Sequence, residues 1–170
     1  MNSQTLFESI KKTVLEIEAE LRNDYGFGIY FAPELYVAFC IGKKIFKQQQ
    51  EIFGTDKIKW LRETCIGSGG PSDIIFKSDD VDTVIELKLR SDIYHYKADI
   101  EKLKMLPLYG NKFFCVLLDS FSEENDGRLK RLEEEYAHQI HSVGHFAFLT
   151  WNDWYSEQIF CNLNLYEIKK

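Results

Sequence analysis

The run Phe113-Phe114-Cys115-Val116-Leu117-Leu118, bounded by Lys112 and Asp119, constrains this chain more than any other stretch. Side chains on a strand alternate between two faces, so an unbroken apolar run means that both faces are covered. Strands of this kind are delivered by a helix crossover, parallel to an earlier strand. The preceding residues fit that role. Ile93, Tyr96, Ile100, Leu103 and Leu106 recur at helical spacing and stop before Pro107.

The remaining segments fall into place around this unit. Leu6, Ile10, Val14, Ile17 and Leu21 predict a helix over 3–21, followed by a turn at 23–28. A second helix is expected from Pro33 to about Gln48, with Leu35, Phe39, Gly42 and Phe46 in one row. Glu34, Ala38, Ile41 and Ile45 form the adjacent row, so a carboxylate heads an apolar stripe. Residues 57–65 alternate in part, as a strand with one solvated face does. Strands at 71–76 and 84–89 complete an antiparallel meander. After the run at 113–118, Ser120 and Glu123 are spaced as a capping box for a helix carrying Leu129, Leu132, Tyr136 and Ile140. A strand is expected at 145–151 and an edge strand at 160–168. The order is that of one α/β domain over 1–170, with 1–30 as an N-terminal helical extension.

The meander carries a conflict between pattern and burial. Ile74-Ile75-Phe76 and Val84-Ile85 are runs rather than alternations, yet Asp73 opens the first and Glu86 and Lys88 follow the second. Glu86 and Lys88 are two apart and share a face, opposite Ile85, Leu87 and Leu89. Carboxylates and an amine among buried strands are costly unless they pair or hold a metal. Two converging carboxylates suit a hard cation such as Mg²⁺. A lysine beside it can orient a water and stabilise phosphoryl charge. Together these groups suffice for in-line hydrolysis of a phosphodiester. The plainer reading is a salt-bridged trio on a solvated face.

Pro71-Ser72-Asp73 followed by Glu86-Leu87-Lys88 resembles the signature of the PD-(D/E)xK nuclease superfamily, the fold of many restriction endonucleases. The resemblance implies a restriction endonuclease-like core: a helix, a three-stranded meander, a helix and a crossover strand in a central mixed β-sheet flanked by helices. It implies Asp73 and Glu86 as metal ligands, Lys88 as the water-positioning lysine, and Glu34 as a further ligand, direct or through water. The implied cofactor is Mg²⁺, with Mn²⁺ as a substitute. The implied substrate is nucleic acid, DNA rather than RNA, and the implied activity is that of an endonuclease. Gly70 and Ser72 are placed against substrate, with Lys97 or Asp99 reaching the site from the next helix. Serine stands before Asp73 where the short form of the motif has proline. Asp153 with Glu167-Ile168-Lys169 repeats the spacing, but no helix and strand follow it in this sequence. The alternatives are a non-catalytic module of the same fold that binds protein or nucleic acid, and a small-molecule phosphoesterase.

A net charge of -6 is the wrong sign for binding nucleic acid over the whole surface. A local basic cleft, a homodimer or a partner subunit is therefore expected to supply affinity. Lys43, Lys44 and Lys47, then Lys57, Lys59 and Arg62, then Lys88, Arg90, Lys97, Lys102 and Lys104, are the basic clusters. No membrane span and no basic-then-apolar leader is apparent, and Cys40, Cys65, Cys115 and Cys161 lack metal or redox spacing. A cytoplasmic protein with reduced thiols is expected. His138, His141 and His145 are spaced for zinc but straddle a predicted helix end and Gly144, so they are read as surface residues. Gly67-Ser68-Gly69-Gly70 lacks the lysine and helix of a phosphate loop. Trp151-Asn152-Asp153-Trp154 is read as packing rather than base stacking.

Overall fold

The computed structural model describes residues 1–66, 70–79, 81–107, 110–124, 126–151 and 158–169. The Gly67–Gly69 part of the glycine-rich turn, Asp153 of the repeated spacing and Trp154 lie outside them. Helix α1 (Ser3–Tyr25) is followed by a 3-10 turn (Ile29–Phe31), α2 (Glu34–Lys47) and the short α3 (Gln49–Phe53). Strands β1 (Lys59–Cys65), β2 (Pro71–Lys77) and β3 (Asp82–Leu89) come next. Then follow α4 (Ile93–Met105), β4 (Gly110–Ser120), α5 (Gly127–Glu135), β5 (Ile140–Thr150) and β6 (Ile159–Ile168).

The six strands form one mixed sheet in the order β1-β2-β3-β4-β6-β5. The β1–β2–β3 meander is antiparallel, β4 lies parallel to β3, and β6 is antiparallel to both β4 and β5. As the apolar run requires, β4 is covered on both faces. Phe113, Cys115 and Leu117 join the core layer built with α1, α2 and α3. Phe114, Val116 and Leu118 join the layer built with α4 and α5. Residues 113–118 are all at 0% exposure, which makes β4 the spine of both cores. Full burial stabilises by about 1.5–3 kcal/mol for each large apolar side chain.

Several boundaries differ from the sequence expectation for identifiable reasons. Helix α1 runs to Tyr25 and closes at Gly26, whose φ of 75° gives the left-handed cap that glycine adopts readily. Pro33 caps α2 rather than opening it. The Ser120–Glu123 capping box does not form, because Ser120 pairs with Phe160 as the last residue of β4. Asp126 instead caps α5, accepting from the Arg128 N–H at 2.7 Å. Helix α5 stops at Glu135, so Ile140 opens β5 instead of ending a helix stripe. His138, His141 and His145 are exposed, and His141 and His145 lie on β5. The expected edge strand, β6, lies inside the sheet, and β5 takes the edge. Its alternating Asn162 and Asn164 are buried, with Asn162 bonded to His145 and to the Ser122 carbonyl. Polar alternation here marks internal hydrogen bonding rather than a wet face.

Among the described residues no helix is long and apolar enough to cross a membrane. The four cysteines are free thiols, and Cys65 is exposed on β1 rather than part of the core.

One close approach ties the N-terminal helix to the sheet. A Cβ on Gly28 would lie 2.1 Å from Thr150 Oγ1 and 2.5 Å from the Trp151 carbonyl oxygen. Backbone cannot move aside as a flexible side chain can. Gly28→Ala is therefore expected to lower unfolding stability by about 1–3 kcal/mol, read as a reduced urea midpoint.

Candidate metal centre

The site starts where β2 leaves β3. Their ladder pairs Phe76 with Thr83, Ile75 with Val84 and Ile74 with Ile85, and goes no further. Towards its start β2 stays with β1 instead, pairing Ser72 with Thr64 and Pro71 with Cys65. On the side that faced β2, the β3 backbone beyond Ile85 has lost its strand partner. Two carboxylates take that place. Asp73 Oδ2 accepts from the Leu87 N–H and Glu34 Oε2 from the Leu89 N–H, each at 2.8 Å. Glu34 reaches β3 from the first turn of α2, so its position at the head of the apolar stripe turns it inward.

The side chains of β3 complete the cluster. Lys88 Nζ lies 3.4 Å from Glu34 Oε1 and 3.3 Å from Asp99 Oδ2 on α4. Glu86, only 2% exposed, has its Oε1 3.0 Å from Lys102 Nζ, also on α4. Lys102 donates in addition to the Pro71 carbonyl, so one ammonium bridges the start of β2 and the middle of β3. The structure thus gathers Glu34, Asp73, Glu86 and Lys88 at one fork. Ser72 is beside them but fully buried. Gly70 precedes β2 with φ +85° and open space where a side chain would begin. Lys97 is not brought to the cluster: it pairs with Glu135 and joins α4 to α5.

Burial sets the electrostatics. Glu86 is pushed from the ordinary value of 4.5 to about 7, first by desolvation and then by the Asp73 carboxylate, with Ser72 and Lys102 opposing. Burial alone would lower the Lys88 ammonium, but Asp99, Glu34 and Asp73 outweigh it and leave it raised. Lys88 is therefore a fixed positive charge at neutral pH, suited to orienting water or phosphate oxygen rather than to taking a proton. Asp99 is raised by burial, with Lys88 opposing.

Among the described residues, no group of three or more His, Cys, Asp and Glu side chains is arranged to hold a metal ion. The donor set nonetheless fits Mg²⁺, which is commonly held by one or two carboxylates, with waters and substrate phosphates completing the shell. Glu86 Oε1 is buried without a well-aligned hydrogen bond, and the like charge that acts on this carboxyl is Asp73. A divalent cation between them would relieve both conditions.

Sequence reasoning passed over Lys102, which stood only as one member of a lysine cluster. The available signal was helical: Asp99 and Lys102 are three apart and flank the buried Ile100 and Leu103, so both lie beside the stripe that packs on the sheet. The grooves lined by Thr13, Glu20, Cys40 and Lys43, and by Asp119, Phe121 and Arg128, do not include the cluster. Comparisons with protein-family models, with curated proteins and with solved structures found no match to this chain.

The raised Glu86 carboxyl gives a pH signature. In the folded state it keeps its proton after the unfolded chain has lost it. Its stabilising contribution is full below about 4.5 and is lost as pH rises through about 7. The shift corresponds to about 3 kcal/mol. Without divalent cations, Glu86→Gln is expected to gain stability over the wild type by about 1–3 kcal/mol as pH rises from about 5 to about 8, in urea titrations at the two values.

Proposed function

We propose that this chain is a metal-dependent nuclease with a restriction endonuclease-like core, hydrolysing phosphodiester bonds of nucleic acid, DNA in the first instance. The observation that carries the proposal is the fork itself: Asp73 on β2 and Glu86 and Lys88 on β3 meet where those strands part, with Glu34 reaching in from α2. The element order α2, β1–β2–β3, α4, β4, with β4 parallel to β3, supports the same reading.

In this reading Asp73 and Glu86 hold Mg²⁺ or Mn²⁺, and Glu34 assists directly or through a water. The bound cation would polarise the scissile phosphate and lower the pKa of a water. The protein supplies the rest. Lys88, held charged by Asp99 and Glu34, fixes the attacking water and offsets charge growing on the phosphate. The backbone at Gly70 is open to an approaching strand. The overall charge of -6 leaves affinity for a polyanion to local cations, such as Lys59 and Arg62 exposed on β1, and to a second copy or partner subunit.

A second reading has its own observation. Each acid of the cluster already meets a donor or an ammonium group within the protein, as a purely structural polar knot requires. On that reading the chain is a binding module of the same fold without catalysis. Supercoiled plasmid and single-stranded DNA, incubated with Mg²⁺ or Mn²⁺, decide between the two. Cleavage abolished by chelation and reduced at least on the order of 100-fold by Asp73→Ala and by Lys88→Ala is expected. Cleavage that persists in both variants would sink the assignment. No cleavage, together with no divalent-ion binding by calorimetry, would favour the module.

A further inference from the structure

Lys102 stands where the charge of the cluster is least balanced. Glu34, Asp73, Glu86 and Asp99 supply four carboxylates against the two ammonium groups of Lys88 and Lys102, which leaves two negative charges when all are ionised. Lys88 serves Glu34 and Asp99. Asp73 is met by a backbone N–H. Lys102 is the cation at Glu86, 3.0 Å from Oε1, and the Pro71 carbonyl accepts from the same Nζ. Those two oxygens are the kind of hard ligand a divalent cation takes. An ammonium seated between them already occupies part of the space and the potential such an ion would use.

Resting on the nuclease reading, we infer that Lys102 is the resident counter-ion of Glu86, and that Glu86 accepts a divalent cation only by releasing the Lys102 ammonium. Two positive centres this close repel strongly in a partly buried site. The lysine can leave, because its four-carbon stem is flexible and its side chain keeps a 16% exposed path to solvent. Without a cation, Lys102 prevents Glu86 and Asp73 from facing each other uncompensated. With one, its charge moves to the mouth of the fork. Lys102 is thus a positioning residue whose removal favours cation binding, the reverse of what loss of a ligand does.

The test is calorimetric titration of the full chain with Mg²⁺ and with Mn²⁺, comparing wild type, Lys102→Met and Lys102→Gln. Lys104→Met is the control, since Lys104 lies on the same helix but pairs with Glu101. Thermal melts establish that each variant is folded, and the two substitutions at Lys102 guard against one failing to fold. Both Lys102 variants are expected to bind Mg²⁺ on the order of tenfold more tightly than wild type, while Lys104→Met stays within about twofold. In the wild type, the Lys102 ammonium resonance should move as Mg²⁺ is added. Unchanged or weaker binding in the Lys102 variants, with the wild type binding normally, overturns the role of Lys102 and leaves the nuclease reading standing. Equal tightening in Lys104→Met overturns it too, by reducing the effect to net charge. A wild type that binds neither cation and cleaves nothing removes both.

Discussion

The parting of β2 from β3 is the constraint on which the rest of this structure depends. Buried backbone N–H groups are almost always satisfied, and a central strand that loses a neighbour must find other acceptors. Here Asp73 and Glu34 provide them, at Leu87 and Leu89. Using carboxylates for this purpose places negative charge against a desolvated strand. That charge calls in Lys88, and Lys88 in turn draws Asp99 from the opposite layer. Glu86, on the same face of β3 as Lys88, needs its own cation and has Lys102. The cluster is thus the electrostatic consequence of a backbone event.

The reach of Glu34 depends on residues far from the fork. Glu18 on α1 is 5% exposed and accepts from the Ile29 N–H and from Thr150 Oγ1, each at 2.7 Å, with Arg22 Nε at 2.8 Å. These bonds hold the 3-10 turn at Ile29–Phe31 against the end of β5, and Pro33 then starts α2 with Glu34 in its first turn. Breaking a buried charged group of this kind typically costs about 3–5 kcal/mol. The N-terminal helix, which from sequence looked like an extension before residue 30, supplies six buried apolar residues to the layer that α2 shares. Through the 3-10 turn it sets where a cluster residue stands.

Much of this was legible in the residues. The unbroken run at 113–118 led to a strand covered on both faces and parallel to its predecessor, because periodicity reports directly on how many faces are buried. The shared face of Glu86 and Lys88 follows from spacing alone, whereas the position of Glu34 fitted a first-turn acid complementing the helix dipole as well as an inward carboxylate, and its bond to the Leu89 N–H decides for the second. What spacing could not express was partnership between distant segments. Ser120 and Glu123 have the separation of a cap, but pairing with Phe160 carries the strand through that position. Asn162 and Asn164 alternate as a solvated face would, and only His145 and Ser122 reveal where the polar groups of Asn162 go. Lys102 was visible as a charge but not as a charge aimed at Glu86, since that requires α4 to be laid across the fork.

The place of β6 has a consequence for how the molecule is made. It is the last strand in sequence and sits between β4 and β5, so the sheet has a vacant lane until residues 159–168 are available. During synthesis, one side of the apolar spine at 113–118 and the inner side of β5 are open strand edges that attract other chains. The register joining Phe113 to Glu167 closes a loop of more than fifty residues. Pairings of that span form slowly, because chain entropy is lost before contacts compensate. The order of the strands thus makes completion of the sheet wait on its innermost late arrival, and until then the open lane is where another chain could pair.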